Sequence, residues 1–355
     1  MSDYLSDFDL NSADFNSTAN HADSSKNSDL NPADSTTPTI PTIPAIIGTT
    51  ASGKSALAMR LARKFGLCIF SLDSLSVYKG VDIASAKPSK ADLHEIRHYG
   101  IDLLNPSEKC NAGVFLKLLC DIAEREIAPQ KLLIVGGSSF YLKSIIDGLS
   151  FAPKPSAFVE AYIAKIAQNR AEAHKLLRQI DSDFATKISP NDSFRIAKGL
   201  QIYFLTNQPP SAFFAQNPRQ KLPFNIKIFE LIKPREILRE DIKMRTERMF
   251  EVGLIDEVRH LRQNFTQSQV FKAIGVKEII AFLDGEMSLE GAKDAIIKNT
   301  IALAKRQRTF NRTQFPQIPR LEAGDLEAEL SNYFEILRLD SNAESRGRFC
   351  DSIKL

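Results

Sequence analysis

Gly48-Thr49-Thr50-Ala51-Ser52-Gly53-Lys54-Ser55 is the stretch whose reading decides the fold. It fits G-x-x-x-x-G-K-[ST], the pattern of a loop that cradles phosphate groups. Its context fits too. Ala45-Ile46-Ile47 ahead of it is a short apolar run, read as a buried strand. Lys54 to Phe65 behind it has Leu57, Met59, Leu61, Ala62 and Phe65 at helical spacing, with Gly66 as the stop. Gly48 and Gly53 permit the tight backbone path. The loop N–H groups and the helix N-terminus form an anion cradle, Lys54 adds a point charge, and the Ser55 hydroxyl suits Mg²⁺. The stretch therefore predicts a site for a diphosphate or triphosphate.

Working outward, Leu67–Leu72 reads as a second strand and Ala112–Ile127 as a helix. Lys131–Val135 is a third strand closed by Gly136-Gly137, and Phe140–Ile146 restarts a helix. Continuous apolar strands alternating with helices predict a parallel sheet covered on both faces. The expected class is α/β: a P-loop NTPase-like parallel sheet core flanked by helices, with a helical insertion domain. Pro153 and Pro155 mark a break. Beyond them Phe158, Tyr162, Ile163 and Ile166, then Leu176, Leu177 and Ile180, follow helical periodicity with no convincing strand. Phe224–Ile232 reads as a returning strand, followed by helices over 234–252, 254–264, 271–283 and 289–312. The expected organisation is a tail over 1–44, a first core part over 45–150, a helical insertion over 151–222, core completion over 223–320, and a C-terminal helix and tail over 321–355, frayed from about 340.

Composition sets bounds. The chain has 355 residues, 43% hydrophobic and 25% charged, which excludes a wholly disordered or collagenous protein. No run reaches a membrane-span length of roughly 18 apolar residues. The N-terminus lacks a basic segment followed by an apolar core, so the expected location is cytoplasmic. The four cysteines, Cys68, Cys110, Cys120 and Cys350, fit no zinc spacing and read as reduced thiols. Residues 1–44 hold seven Asp and one Lys among many Ser, Asn, Thr and Pro residues, and predict a disordered acidic tail. The remainder has 45 basic against 36 acidic residues, a balance compatible with a polyanionic partner.

A P-loop alone does not select a reaction. The third strand runs into Gly136-Gly137-Ser138 with no acid to help hold a metal. The acid instead follows the second strand, as Asp73. That places it at the carboxyl edge of the sheet, where open α/β sheets bind ligands. A carboxylate there can bind metal, accept a proton, or simply cap a helix.

Several segments together resemble the tRNA dimethylallyltransferase family, the bacterial-type tRNA isopentenyltransferases. They are the P-loop; Ser71-Leu72-Asp73-Ser74 through Tyr78-Lys79-Gly80-Val81-Asp82-Ile83; Ala86-Lys87-Pro88; His98 to Pro106; Val135-Gly136-Gly137-Ser138 with Tyr141; Pro190-Asn191-Asp192 with Arg195; Ala273-Ile274-Gly275 with Lys277-Glu278; and Ala304-Lys305-Arg306-Gln307. The resemblance runs in consistent order over about residues 45–315.

The resemblance implies a reaction: transfer of a dimethylallyl group from dimethylallyl diphosphate to N6 of an adenosine next to the anticodon of tRNA, with diphosphate released. It implies a monomer that uses Mg²⁺. The P-loop residues Gly48, Thr49, Thr50, Ala51, Ser52, Gly53, Lys54 and Ser55 then hold the diphosphate, with Ser55 at the metal. Asp73 becomes the general base, Ser138 approaches the leaving oxygen, and Arg245 contacts the diphosphate. The tRNA-binding set comprises Asp73, Ser74, Leu75, Ser76, Phe194, Arg195, Lys198, Lys277, Lys305, Arg308 and Arg312. Lys305, Arg308 and Arg312 fall on one helical face by spacing alone. The chain departs from the family pattern at Ser138, where Thr is usual, at Phe194 and Lys198, often Gln and Arg, at Val276, where Tyr is common, and at Phe310, near a usual Trp. Two other readings use the same residues: transfer to a free adenine nucleotide, and a non-catalytic P-loop protein that binds RNA.

Overall fold

The computed structural model describes residues 40–125, 131–150, 153–219 and 222–351, with side chains as far as Arg338. Most of the expected N-terminal tail, residues 1–39, lies outside these residues. The described chain divides into two compact units, Asp147–Lys221 and Ile40–Ile146 with Leu222–Leu355.

The larger unit is built on a six-stranded sheet. Its strands are β1 (Thr42–Gly48), β2 (Cys68–Ser71), β3 (His98–Tyr99), β4 (Leu132–Gly136), β5 (Asn225–Leu231) and β6 (Arg320–Leu321), in the spatial order β3-β2-β4-β1-β5-β6. Every pairing is parallel, with Ile46 opposite Val135 on one side and Phe229 on the other. Parallel strands covered on both faces need continuous apolar runs, and Ile43, Ala45, Ile46, Ile47 and Leu132–Val135 are all buried.

β1 begins at Thr42, earlier than the apolar run suggests, so residues 42–44 belong to the sheet and not to a tail. Pro44 is tolerated because pairing with β4 starts only at Ala45, leaving Pro44 a single neighbouring strand, β5. Its neighbour Ile43 is fully buried.

Alternation along the strands sorts side chains to opposite faces. Ile46, Ile69, Leu133 and Phe229 share a core with Leu57 and Leu61 of α1 (Lys54–Phe65) and Leu326, Leu330 and Phe334 of α14 (Ala323–Asp351). Phe70, next to Ile69, instead meets Phe115 of α3 (Ala112–Arg125) at 6.3 Å, and Phe115 meets Tyr141 of α4 (Ser139–Asp147) at 5.6 Å. The short α2 (Lys90–Glu95) leads into β3 and is opened by a capping box between Ser89 and Asp92. α14 continues to Asp351, past the point where fraying is expected; Ala343, Glu344, Arg346 and Arg348 are helix-compatible residues.

After β5 come α10 (Arg235–Glu251), α11 (Leu254–Asn264), α12 (Val276–Leu283) and α13 (Leu289–Gln314). The single helix expected over 271–283 is instead a 3₁₀ turn at Gln269–Lys272 and then α12. Gly275 sits at φ 94°, a left-handed-region backbone that interrupts the helix.

The smaller unit holds α5 (Ala157–Ala167), α6 (Arg170–Ile180), α7 (Ser182–Ala185), α8 (Ser193–Thr206) and α9 (Pro210–Gln216). Its core is Ala173, Leu177, Ala185, Ile188, Ile196 and Leu200. Gly199 lets α8 approach, since a Cβ there would lie 2.8 Å from Phe184 and 2.9 Å from Leu177. Asp181 caps two helices, accepting from Phe184 N at 2.9 Å and Ser211 N at 2.6 Å. The periodic set on α5 divides: Ile163 is buried, but Phe158 is 78% and Tyr162 47% exposed. These two rings stack on each other at 6.4 Å and do not enter the core.

Candidate active site

The loop after β1 has the geometry an anion cradle needs. Gly48 lies at φ 151°, and a Cβ there would sit 2.5 Å from the Leu231 carbonyl oxygen. Gly53, at φ 93°, is the N-cap of α1. Thr49, Ser52 and Lys54 are buried, while Ser55 is exposed at the head of the helix. The Lys54 ammonium folds over the loop, donating to Thr49 O at 2.6 Å and Ser52 Oγ at 3.4 Å. Burial pushes its pKa from 10.5 down to about 8, with the Asp73 charge pulling it back and Arg245 adding to the fall.

Asp73 leaves β2 at the same edge. Its Oδ1 accepts from Leu75 N at 2.8 Å and Ser76 N at 3.1 Å, so the carboxylate closes a turn over residues 74–77 and caps no helix, the next helix being α2. Among the described residues no bond engages Oδ2, so one oxygen orients the group and the other is available. Ser138 stands opposite: its Oγ accepts from Ser74 N at 3.2 Å. The strands approach this closely because residue 136 is glycine. A Cβ at Gly136 would collide with the Leu72 carbonyl oxygen, one residue before Asp73.

Arg245 reaches the loop from α10, with Nη1 donating to Thr50 Oγ1 at 3.0 Å. Burial lowers its pKa and Asp73 offsets the effect. Behind Asp73 lie Tyr78, Cys110 and Tyr141. Burial pushes the Cys110 thiol up to about 11 and the Tyr141 hydroxyl higher still, and the Asp73 charge adds to both. They form a neutral wall beside the carboxylate.

Two supports were not legible as site residues. Gln307, within the Ala304–Gln307 signature, accepts from Thr50 N at 2.8 Å and donates to Gly137 O at 3.0 Å. Glu257 on α11 accepts from the backbone N–H groups of Asp82, Ile83 and Ala84 at 2.8, 2.7 and 2.9 Å, pinning the segment that follows Asp73. A polar residue in a helix signature was the available signal for Gln307; nothing in the sequence marks Glu257.

The structure thus brings together the P-loop, Asp73, Ser138 and Arg245. Ser74 is exposed and Leu75 half-buried, but Ser76 is buried with its hydroxyl 3.3 Å from Ser71 Oγ. The Ser76 hydroxyl is thus engaged inside the fold. Lys277 pairs with the buried Glu278 at 3.5 Å. On α13, Lys305 and Arg312 are exposed and Arg308 is half-buried. Desolvation lowers the Arg308 pKa, and Arg235 and Arg312 lower it further, so these guanidinium groups crowd one another. In the smaller unit Phe194 is 73% exposed, Arg195 pairs with Asp192 at 3.4 Å, and burial lowers the Lys198 pKa.

A phosphate loop and cationic side chains at the carboxyl edge of a parallel sheet make this a P-loop α/β protein. The IPP transferase family model matches residues 76–314, and the chain belongs to that family. The chain is 46% identical to the tRNA dimethylallyltransferase of Wolinella succinogenes over 289 residues, covering 81% of this chain and 96% of the relative. It is also 46% identical to the tRNA dimethylallyltransferase of Nautilia profundicola, over 76% and 92% of the two chains. A crystallised eukaryotic dimethylallyltransferase acting on tRNA is similar in structure, with TM-score 0.68 and 26% identity over 81% of this chain and 75% of that one. Among the described residues no helix is long and apolar enough to cross a membrane.

Proposed function

We propose that this protein transfers a dimethylallyl group from dimethylallyl diphosphate to N6 of the adenosine next to the anticodon of tRNA. The observation that carries the reading is the convergence of Lys54 and Asp73, a cation for the departing diphosphate and a carboxylate for the incoming base. Membership of a family with relatives named for this reaction supports it.

Breaking the allylic C–O bond builds negative charge on the diphosphate. The loop N–H groups, Lys54 and Arg245 stabilise that charge where it develops. Ser138 Oγ accepts one backbone N–H and keeps its own proton for the leaving oxygen. Adenine N6 must lose a proton as the C–N bond forms. Asp73 Oδ2 takes it, while Oδ1 stays tied to two amides that hold the group in place. The base must leave the RNA stack to reach this edge. The crowded cations of α13 supply phosphate attraction for the anticodon stem-loop, and the exposed Phe194 offers a ring for stacking.

The exposed Ser55 hydroxyl, with diphosphate oxygens and water, is an all-oxygen donor set that fits Mg²⁺. Bound there, the ion would neutralise charge on the leaving diphosphate.

The test is a label-transfer assay with labelled dimethylallyl diphosphate, Mg²⁺ and either unmodified tRNA, free AMP or no acceptor. Label in tRNA, lost in Asp73→Ala and Lys54→Ala, is expected. Label in AMP alone would replace the RNA substrate by a nucleotide, and tRNA binding without transfer would leave a binding protein.

A further inference from the structure

We propose that Gln307 is a positioning residue that sets the shape of the diphosphate loop from the basic helix α13. Its amide makes one bond with each end: Oε1 accepts from Thr50 N at 2.8 Å, and Nε2 donates to Gly137 O at 3.0 Å. The first bond fixes the loop. The second fixes the turn that carries Ser138, so a single side chain holds the two parts in register. Gly137 has the room this requires, since an added Cβ would lie 3.0 Å from Nε2.

Thr50 is held a second time, through its hydroxyl, by Arg245 of α10. The next residue, Ala51, sits at φ 60°, unusual for a residue with a side chain. Such a conformation persists only where its surroundings over-determine it. Ala51 packs on the seam of α10 and α13, against Leu238, Ile242 and Ala304. The apex of the loop is therefore built on this helix pair, and Gln307 is its polar anchor. The Thr50 N–H is spent on Gln307 rather than offered to the ligand, so Gln307 acts on the loop and does not touch the diphosphate.

This inference rests on the loop being the diphosphate site. Its test separates the two readings by measuring binding of inorganic diphosphate with Mg²⁺ alongside prenyl transfer. Gln307→Met keeps the length and removes both bonds; Gln307→Glu keeps the acceptor for Thr50 N and removes the donor to Gly137 O. Both should weaken diphosphate binding and raise KM for dimethylallyl diphosphate about tenfold, the scale of one net hydrogen bond. Affinity for tRNA should stay within about twofold and melting within a few degrees. Unchanged diphosphate binding in both variants, or a loss of tRNA affinity that matches or exceeds the loss of diphosphate affinity, would overturn the role of Gln307. A wild-type protein that binds diphosphate yet transfers nothing to tRNA would overturn the function instead, while the variants would still decide the anchor.

Discussion

Replacing or titrating Lys54 should change ligand affinity and fold stability in opposite directions. Its side chain is buried, and burial pushes the pKa from 10.5 to about 8. A group of that pKa is about nine-tenths charged at pH 7 and about one-tenth charged at pH 9. The diphosphate binds the ammonium form, so affinity for dimethylallyl diphosphate should fall about tenfold between those pH values. On the unliganded fold the same shift has the opposite sign. Native Lys54 holds its proton less tightly than the unfolded chain does, so between about pH 8 and pH 10.5 the unfolded state binds more protons and stability rises with pH. The penalty is full below about 8 and gone above 10.5, and the shift over that span corresponds to about 3 kcal/mol. Calorimetric titration of wild type and Lys54→Arg would cancel the ligand's own ionisation, because a guanidinium does not titrate in this range. Denaturant unfolding of wild type against Lys54→Met would isolate the stability effect. A wild-type to Lys54→Arg affinity ratio that is constant from pH 7 to pH 9, or a stability difference from Lys54→Met that does not move, would refute the reasoning.

Asp73→Asn retains an oxygen for the Leu75 and Ser76 amides and loses the base, so single-turnover prenyl transfer should fall by about 10²–10⁴ while donor affinity changes little. Glu257→Ala strips three backbone N–H groups of their acceptor; thermal unfolding should show a loss of about 1–3 kcal/mol, the cost of an unsatisfied group softened by access of water. Gly136→Ala drives a Cβ into the Leu72 carbonyl oxygen; the strands must part, and soluble yield and prenyl transfer should both drop, more than for Ala at the exposed and unobstructed Gly53 in soluble yield alone.

The strands and the loop were legible because each follows a local rule. Ala45–Ile47, Leu67–Leu72 and Lys131–Val135 are continuous apolar runs, and the loop carries a fixed spacing of Gly, Lys and Ser. The two-residue strands β3 and β6 were not legible, since neither is long enough to show a period and both exist only by pairing with β2 and β5. Periodicity on α5 misplaced Phe158 and Tyr162 because an aromatic pair can satisfy itself in a surface stack. The position of Arg245 came from resemblance alone; its contact with Thr50 depends on how α10 returns to β1. Glu257 and Gln307 escaped notice for the same reason. Their partners lie 173–175 and 170–257 residues away in sequence, and no spacing rule spans such distances.

Protein synthesis is vectorial, and that gives the Thr50 clamp a temporal meaning. The motif emerges from the ribosome early, but its two holders follow 195 and 257 residues later. A nascent chain thus carries the recognisable loop long before it has the means to shape it. A product truncated within α13 ahead of Gln307 would still show the motif to a sequence search, yet would lack the anchor. The contacts that hold Thr50 are complete only once Gln307 has been made.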